Sequence, residues 1–139
     1  PDLIKPNGLE LGQLTGTDGR ELEEQAARGD YSGVVRAARD VVKQGIAEVL
    51  VTLGGAGAVL VTADGAWAAT PPPATVKSTV GAGDAALAGY LLGRTAGNSP
   101  ADSLARSVAY GTAAASKQGT QFPRPEEIDI ANTPVHSLA

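Results

Sequence analysis

The fold of this chain is decided by the stretch Val76-Lys77-Ser78-Thr79-Val80-Gly81-Ala82-Gly83-Asp84, which runs on into Ala85-Ala86-Leu87-Ala88-Gly89-Tyr90-Leu91-Leu92-Gly93. It predicts a loop that turns into a helix. Gly81 and Gly83 carry no Cβ, so the backbone can turn sharply there and a ligand can approach it closely. A helix N-terminus leaves N–H groups unpaired and carries a partial positive charge. The stretch therefore predicts an anion site suited to phosphate.

The carboxylate in this stretch, Asp84, fits phosphoryl transfer. An acceptor hydroxyl must lose its proton while backbone amides stabilise the charge on the transferring group. Asp84 is a candidate for the base in such a step. The structural alternative is an acidic residue that the helix dipole favours in a first turn. The two flanking glycines favour the catalytic interpretation.

Two other nucleotide-binding motifs are alternatives for the same stretch. Residues 81–86 fit the G-x-G-x-x-A dinucleotide pattern, which needs a hydrophobic strand before it and an acidic residue about 20 positions on, after a second strand. Here the preceding residues 71–76 are rich in proline, and Asp102 begins a helical pattern. No G-x-x-x-x-G-K-[ST] loop occurs in the chain. Both alternatives are therefore weak.

The order of the other elements indicates an α/β fold. Tyr31 to Gln44 has the apolar spacing of an amphipathic helix, and the continuous apolar run 48–53 predicts a buried parallel strand directly after it. A hairpin into Ala58 to Thr62 and a return strand at 66–70 follow. Ser99-Pro100 predicts the start of a second helix that stops at Gly119. Beyond Phe122 the sequence carries little periodicity, and His136 is interpreted as a solvated tail residue.

Two further segments carry candidate functional residues. Leu3-Ile4 predicts a short strand that Pro6 ends, and Asn7 with Glu10 has the spacing of a helix capping box. The glycine-rich turn 52–57 stands at the end of a predicted strand, where ligands gather in open α/β sheets.

These motifs together resemble those of the ribokinase-like (PfkB) carbohydrate kinases. The sequence around Gly81 to Asp84 is most similar to that of the 1-phosphofructokinase branch. N-x-x-E, V-T-L-G-x-x-G and G-A-G-D occur in the family's order across nearly the whole chain. The resemblance implies a three-layer αβα fold, of which this chain is the carboxyl-terminal half with a mainly parallel sheet plus a β-hairpin. It also implies that Asp84 is the catalytic base and that the amides of Gly81, Ala82 and Gly83 form an anion hole.

The resemblance implies ATP and Mg²⁺ as cofactors. Lys5 is placed to meet nucleotide phosphate, Asn7 and Glu10 lie near the metal and act on it indirectly, and Gly119 borders the adenine. The nucleotide turn comprises Thr52, Leu53, Gly54, Gly55, Ala56 and Gly57.

The chain departs from the family in two ways. Ser78 stands near a position where many members have an Asp beside a monovalent cation, so potassium activation is doubtful. The resemblance also implies that residues 1–139 are the nucleotide-binding half, without the sugar-binding half and lid of the family. The expected reaction is ATP-dependent phosphorylation of fructose 1-phosphate to fructose 1,6-bisphosphate. Tagatose 6-phosphate, fructose 6-phosphate or a nucleoside remain alternatives, as does a nucleotide-binding fragment without activity.

The composition and the net charge argue against several classes of partner and site. The 139 residues are 42% hydrophobic and 19% charged, as in one globular unit, and the net charge of −4 offers no basic surface for nucleic acid or a membrane. No cysteine is present, so disulfides and thiolate metal sites are excluded. The cytoplasm is the expected compartment. Sheet edges left open by the absent half favour a homodimer or self-association of the fragment.

Overall fold

The computed structural model describes residues 2–72, 81–116 and 127–138, and the chain divides into two compact units. The first unit comprises residues 1–68 with 136–139, and the second comprises residues 69–135. Sheet and helices alternate as an α/β fold requires, so the predicted fold class is confirmed.

Three helices belong to the first unit: α1 (Gly8–Thr15), α2 (Gly19–Ala27) and α3 (Ser32–Lys43). Helices α1 and α2 each begin after a residue whose side chain caps them. The Asp18 carboxylate caps α2 by accepting from the backbone N–H groups of Arg20 and Glu21. In α3 the apolar side chains recur at helical spacing, and they are the ones buried: Val34, Val35, Ala37, Ala38 and Val41.

The sheet has five strands in the order β1-β2-β3-β4-β5. They are β1 (Leu3–Ile4), β2 (Glu48–Thr52), β3 (Ala58–Thr62), β4 (Gly65–Ala69) and β5 (Val135–Ser137). The sheet, expected to be mainly parallel, is mixed, because β1 and β2 pair parallel whereas β2 and β3 pair antiparallel. The predicted hairpin after β2 is therefore present, on the side of β2 opposite its parallel partner.

The core of the first unit lies around β2 and β3. The three central residues of β2 are fully buried, as are Val59, Leu60 and Val61 in β3. Such continuous burial is typical of strands covered on both faces, which explains their unbroken apolar sequences. The core also takes in Leu11 of α1 and Leu22 of α2.

The second unit contains α4 (Ala82–Thr95) and α5 (Pro100–Ala115), which pack closely on each other. A Cβ added at Gly89 would lie 2.8 Å from the carbonyl oxygen of Arg106 and from the ring of Tyr110. The small residues that follow Asp84 thus permit a close approach of α5 to α4. Ser99 caps α5 and Pro100 occupies its first turn, as predicted.

Two boundaries near the carboxyl end differ from the sequence prediction. Helix α5 ends at Ala115, and Gly119, its predicted stop, lies outside the described residues. The tail, predicted to lack regular structure, forms β5 and contains His136 in an exposed position. The Leu138 N–H donates to the Ala66 carbonyl oxygen at 2.9 Å. In the part of the chain that the structure describes, no helix combines the length and apolar character needed to cross a bilayer.

Candidate functional site

Asn7 and Glu10 form a complete capping box at the start of α1. The Glu10 N–H donates to Asn7 Oδ1 at 2.8 Å, and the Asn7 N–H donates to Glu10 Oε1 at 2.9 Å. The structural interpretation of this N-x-x-E pair is therefore confirmed. The box uses Asn7 Oδ1 and Glu10 Oε1, and both residues are exposed. The second carboxylate oxygen of Glu10, Oε2, therefore remains accessible to a ligand.

The capping box lies beside the end of β2. Asn7 and Thr52 form an isolated parallel bridge, and the Thr52 N–H donates to the Pro6 carbonyl oxygen at 3.0 Å. Lys5, half-buried, directly precedes Pro6. The structure thus brings three of the predicted features to one place, the carboxyl end of β2, where the glycine-rich turn begins.

That turn is a compact loop from Leu53 to Gly57, referred to below as the glycine loop. It contains one turn of 3₁₀ helix, Gly54–Ala56. The Leu53 N–H donates to the Gly57 carbonyl oxygen at 2.9 Å, which closes the loop. Gly54 has φ +58° and Gly57 has φ +94°, backbone conformations that favour glycine. These two positions explain why the sequence needs glycine there.

The tip of the glycine loop is open. Gly54 and Gly55 are exposed, and a Cβ built on either residue would meet no atom within 4 Å. Backbone without side chains at the carboxyl end of a buried strand allows a phosphate or a ribose to approach closely. The loop therefore fits the predicted nucleotide contact.

One contact to the glycine loop was not predicted from the sequence. The Tyr31 hydroxyl, at the start of α3, donates to the Ala56 carbonyl oxygen at 2.9 Å. Burial raises the pKa of Tyr31 above its ordinary value. No local pattern reveals this contact, because the acceptor is a backbone carbonyl 25 residues away.

The predicted anion hole lies in the second unit, at the start of α4. Gly81 is the N-cap residue with φ +81°, and none of the described side chains caps the helix there. The Ala85 N–H donates to the Gly81 carbonyl oxygen at 2.9 Å, which begins the helical hydrogen bonding. The amides of the first turn precede this bond, and Asp84 stands among them with an exposed side chain. This arrangement can hold an anion and present a carboxylate beside it.

The predicted residues thus fall into two groups. The first unit holds Lys5, Asn7, Glu10 and the turn 52–57, and the second unit holds residues 81–84. Gly119 and Ser78 lie outside the described residues, so the adenine contact and the cation position stay predictions. Among the described residues, no three His, Cys, Asp or Glu side chains are grouped so that they could hold a metal ion.

Comparisons with known proteins show what this chain is similar to. The pfkB family of carbohydrate kinases matches residues 1–127. A 1-phosphofructokinase of Rhodobacter capsulatus is 38% identical over 128 residues, which are 92% of this chain and 38% of that protein. A 1-phosphofructokinase of Escherichia coli K12 is 43% identical over 93 residues, 67% of this chain and 27% of that protein. The chain therefore spans well under half the length of these relatives.

The fold is also found in a solved structure. Arabidopsis thaliana ribokinase complexed with ribose and ATP superimposes with a TM-score of 0.78 at 25% sequence identity. The match covers 91% of this chain and 39% of that one. The predicted ribokinase-like fold is thereby confirmed.

Proposed function

Because the chain belongs to the pfkB family of carbohydrate kinases, we propose that residues 1–139 are the nucleotide-binding side of a kinase that phosphorylates a sugar phosphate with ATP. The observation that carries the proposal is the start of α4. A glycine with φ +81° begins the helix, none of the described side chains caps it, and Asp84 stands in the first turn. An uncapped helix start attracts phosphate, and the carboxylate beside it supplies a base.

In the proposed reaction Asp84 takes the proton from the acceptor hydroxyl as that oxygen attacks the γ-phosphorus of ATP. The amides of Gly81, Ala82 and Gly83 stabilise the charge on the transferring phosphoryl group. The amides are set in position before the reaction, because α4 is packed on α5 at its small residues. The leaving group is ADP.

The glycine loop and its neighbours bind the nucleotide in this proposal. Gly54 and Gly55 offer open backbone to the phosphates and ribose, and Lys5 supplies positive charge. Magnesium usually binds proteins through one or two carboxylates and keeps several waters and substrate phosphates. The exposed carboxylate of Glu10 fits this mode, and the capping box with Asn7 holds it in place. When bound, Mg²⁺ would neutralise phosphate charge.

The proposed acceptor is fructose 1-phosphate, giving fructose 1,6-bisphosphate. It rests on the two relatives named 1-phosphofructokinase, at 38% and 43% identity. Tagatose 6-phosphate, fructose 6-phosphate and a nucleoside are the alternatives. The cytoplasm stays the expected compartment, and a homodimer or self-association stays a prediction.

A second candidate function is nucleotide binding without catalysis. It is favoured by the length of the match, since the chain covers 38% of the Rhodobacter capsulatus relative. Turnover of fructose 1-phosphate by the chain, measured as ADP release, distinguishes the two candidates.

The catalytic role of Asp84 is tested by Asp84→Asn. We expect kcat to fall about 10²–10⁴-fold, because the amide cannot accept the proton, while the affinity for Mg·ATP stays unchanged. Asp102→Asn is the matched control, since Asp102 is an exposed acidic residue in the first turn of α5. The control is expected to keep full turnover. Full turnover in Asp84→Asn would show that another group is the base.

A further inference from the structure

We propose that Tyr31 is a positioning residue for nucleotide binding, because its hydroxyl holds the glycine loop in the shape that a nucleotide contacts. The inference rests on the proposed function of that loop. Tyr31 reaches the loop from the start of α3 and has no place in the family motifs from which the site was predicted.

The hydrogen bonds fix one peptide group of the loop at both of its polar ends. The carbonyl oxygen of Ala56 accepts from the Tyr31 hydroxyl at 2.9 Å, and the N–H of Gly57 donates to the Gly54 carbonyl oxygen at 3.0 Å. A peptide group is planar, so two such bonds determine the orientation of the whole unit. The contact with Tyr31 is the one that ties this peptide to another element of the fold.

Fixing this peptide matters because the next residue adopts an unusual conformation. Gly57 has φ +94° and ψ −135°, and its carbonyl oxygen accepts the bond that closes the loop from Leu53. Glycine has many other conformations available, so a loop with three glycines loses much entropy when it is ordered. The hydrogen bond from Tyr31 orders part of the loop before the ligand binds. Less entropy is then lost on binding, which favours a higher affinity.

Tyr31 is itself held firmly enough to act in this way. The Asp30 carboxylate accepts from the Ser32 N–H at 3.0 Å and from the Ser32 hydroxyl at 2.6 Å, which fixes the turn into α3. The Tyr31 carbonyl oxygen accepts from the Val35 N–H at 2.9 Å. Its half-buried side chain packs against the core of the first unit, as Ala56 does. Hydroxyl and acceptor are thus both anchored to the same core.

Tyr31 does not occupy the open part of the loop. Its bond is made at Ala56, whereas the exposed backbone without side chains is that of Gly54 and Gly55. Tyr31 therefore acts through the loop and leaves the tip free for the nucleotide. This division between a supporting side chain and a binding backbone is the arrangement that a preorganised site needs.

The test compares the chain with its Tyr31→Phe and Thr15→Val variants. Tyr31→Phe keeps the ring and removes the hydroxyl. Thr15→Val is the matched control, because it also removes a hydroxyl that donates to a backbone carbonyl oxygen, that of Leu11 at 2.9 Å, and it leaves the bond to Ala56 in place. Two quantities are measured on each protein: amide hydrogen exchange of residues 53–57 without nucleotide, and the affinity for Mg·ATP by calorimetric titration.

We expect exchange in residues 53–57 to be about fivefold faster in Tyr31→Phe, and the affinity for Mg·ATP to be about fivefold weaker, as the loss of one hydrogen bond implies. Both quantities should stay within about twofold in Thr15→Val, because the loop keeps all its hydrogen bonds. Unchanged exchange in Tyr31→Phe would overturn the inference, as would faster exchange with unchanged affinity. If the unmodified chain bound no Mg·ATP, the proposed function would fail, whereas the exchange rates would still decide whether Tyr31 fixes the loop.

Discussion

Three serines of α5 and its cap, at residues 99, 103 and 107, lie in different surroundings. The Ser99 hydroxyl oxygen accepts from the Asp102 N–H at 3.1 Å and caps the helix. Ser103 and Ser107 are fully buried, and within the described residues their hydroxyls have no hydrogen-bond partner. Their small size suits close packing, since a Cβ at Gly93 would lie 2.8 Å from Ser103 Oγ.

Substitution of these serines by alanine is expected to have opposite effects. Ser103→Ala or Ser107→Ala removes a buried hydroxyl that makes no bond, so each should raise the free energy of unfolding by about 1 kcal/mol. Ser99→Ala removes a helix cap and should lower it by about 1 kcal/mol. Urea denaturation of the three variants measures both effects. A loss of stability in both Ser103→Ala and Ser107→Ala would show that the hydroxyls have partners, such as buried water.

Tyr31 gives a prediction for the dependence of stability on pH. Burial raises its pKa in the folded chain above the unfolded value, which is about 10. The neutral hydroxyl is therefore the form that the fold favours. Its contribution to stability is fully present below pH 10 and is lost as the pH rises through the higher pKa of the folded chain.

Urea denaturation at pH 8 and pH 11 tests this prediction. The chain should lose more stability between the two values than Tyr31→Phe does, because phenylalanine has no proton to lose. An equal loss in both proteins would contradict a raised pKa at this residue.

Sequence reasoning identified the residues whose partners are local. Asn7 and Glu10 were predicted as a capping box because both hydrogen bonds join residues three apart. Asp84 was placed at a helix start by the two glycines before it, and the structure has it there. Tyr31 was predicted only as the start of a helix, since nothing in the neighbouring sequence specifies a carbonyl group at Ala56.

Among the elements, the difference between local and distant partners explains which strands can be predicted from the sequence. The apolar runs of β2 and β3 and the Asp64-Gly65 turn after β3 are visible in the sequence, so these elements were predicted. β5 is a three-residue strand of which two residues are exposed, and it carries no periodic pattern. The strand forms because it lies next to β4 at the edge of the sheet. Since β4 is about 70 positions earlier in the chain, a local sequence pattern cannot reveal this pairing.

The packing of α4 on α5 depends on the absence of side chains at the contact. Gly89→Ala would place a Cβ 2.8 Å from the backbone carbonyl oxygen of Arg106, which cannot move aside without shifting α5. We expect the free energy of unfolding to fall by about 1–3 kcal/mol, despite the better helix propensity of alanine.

Gly55→Ala is the control for this prediction, because its added Cβ would meet no atom within 4 Å and its φ is not positive. Its stability should change by less than about 0.5 kcal/mol. Thermal or urea denaturation compares the two variants. Equal stability of Gly89→Ala and the unmodified chain would mean that the two helices can separate at no cost.

At the scale of the whole molecule, the proposed chemistry is divided between the two units. The glycine loop and the capping box belong to the first unit, and the anion hole with Asp84 belongs to the second. Each group is built on its own helices and strands, so each can be altered separately. This separation is why Asp84→Asn should affect turnover alone, whereas Tyr31→Phe should affect nucleotide affinity.

The proposal on which the others depend is that this chain binds ATP. The most direct measurement is calorimetric titration of the chain with Mg·ATP and, separately, with NAD, which the G-x-G-x-x-A pattern at residues 81–86 would favour if it were a dinucleotide site. We expect saturable binding of Mg·ATP and none of NAD. Binding of NAD without binding of Mg·ATP would contradict it.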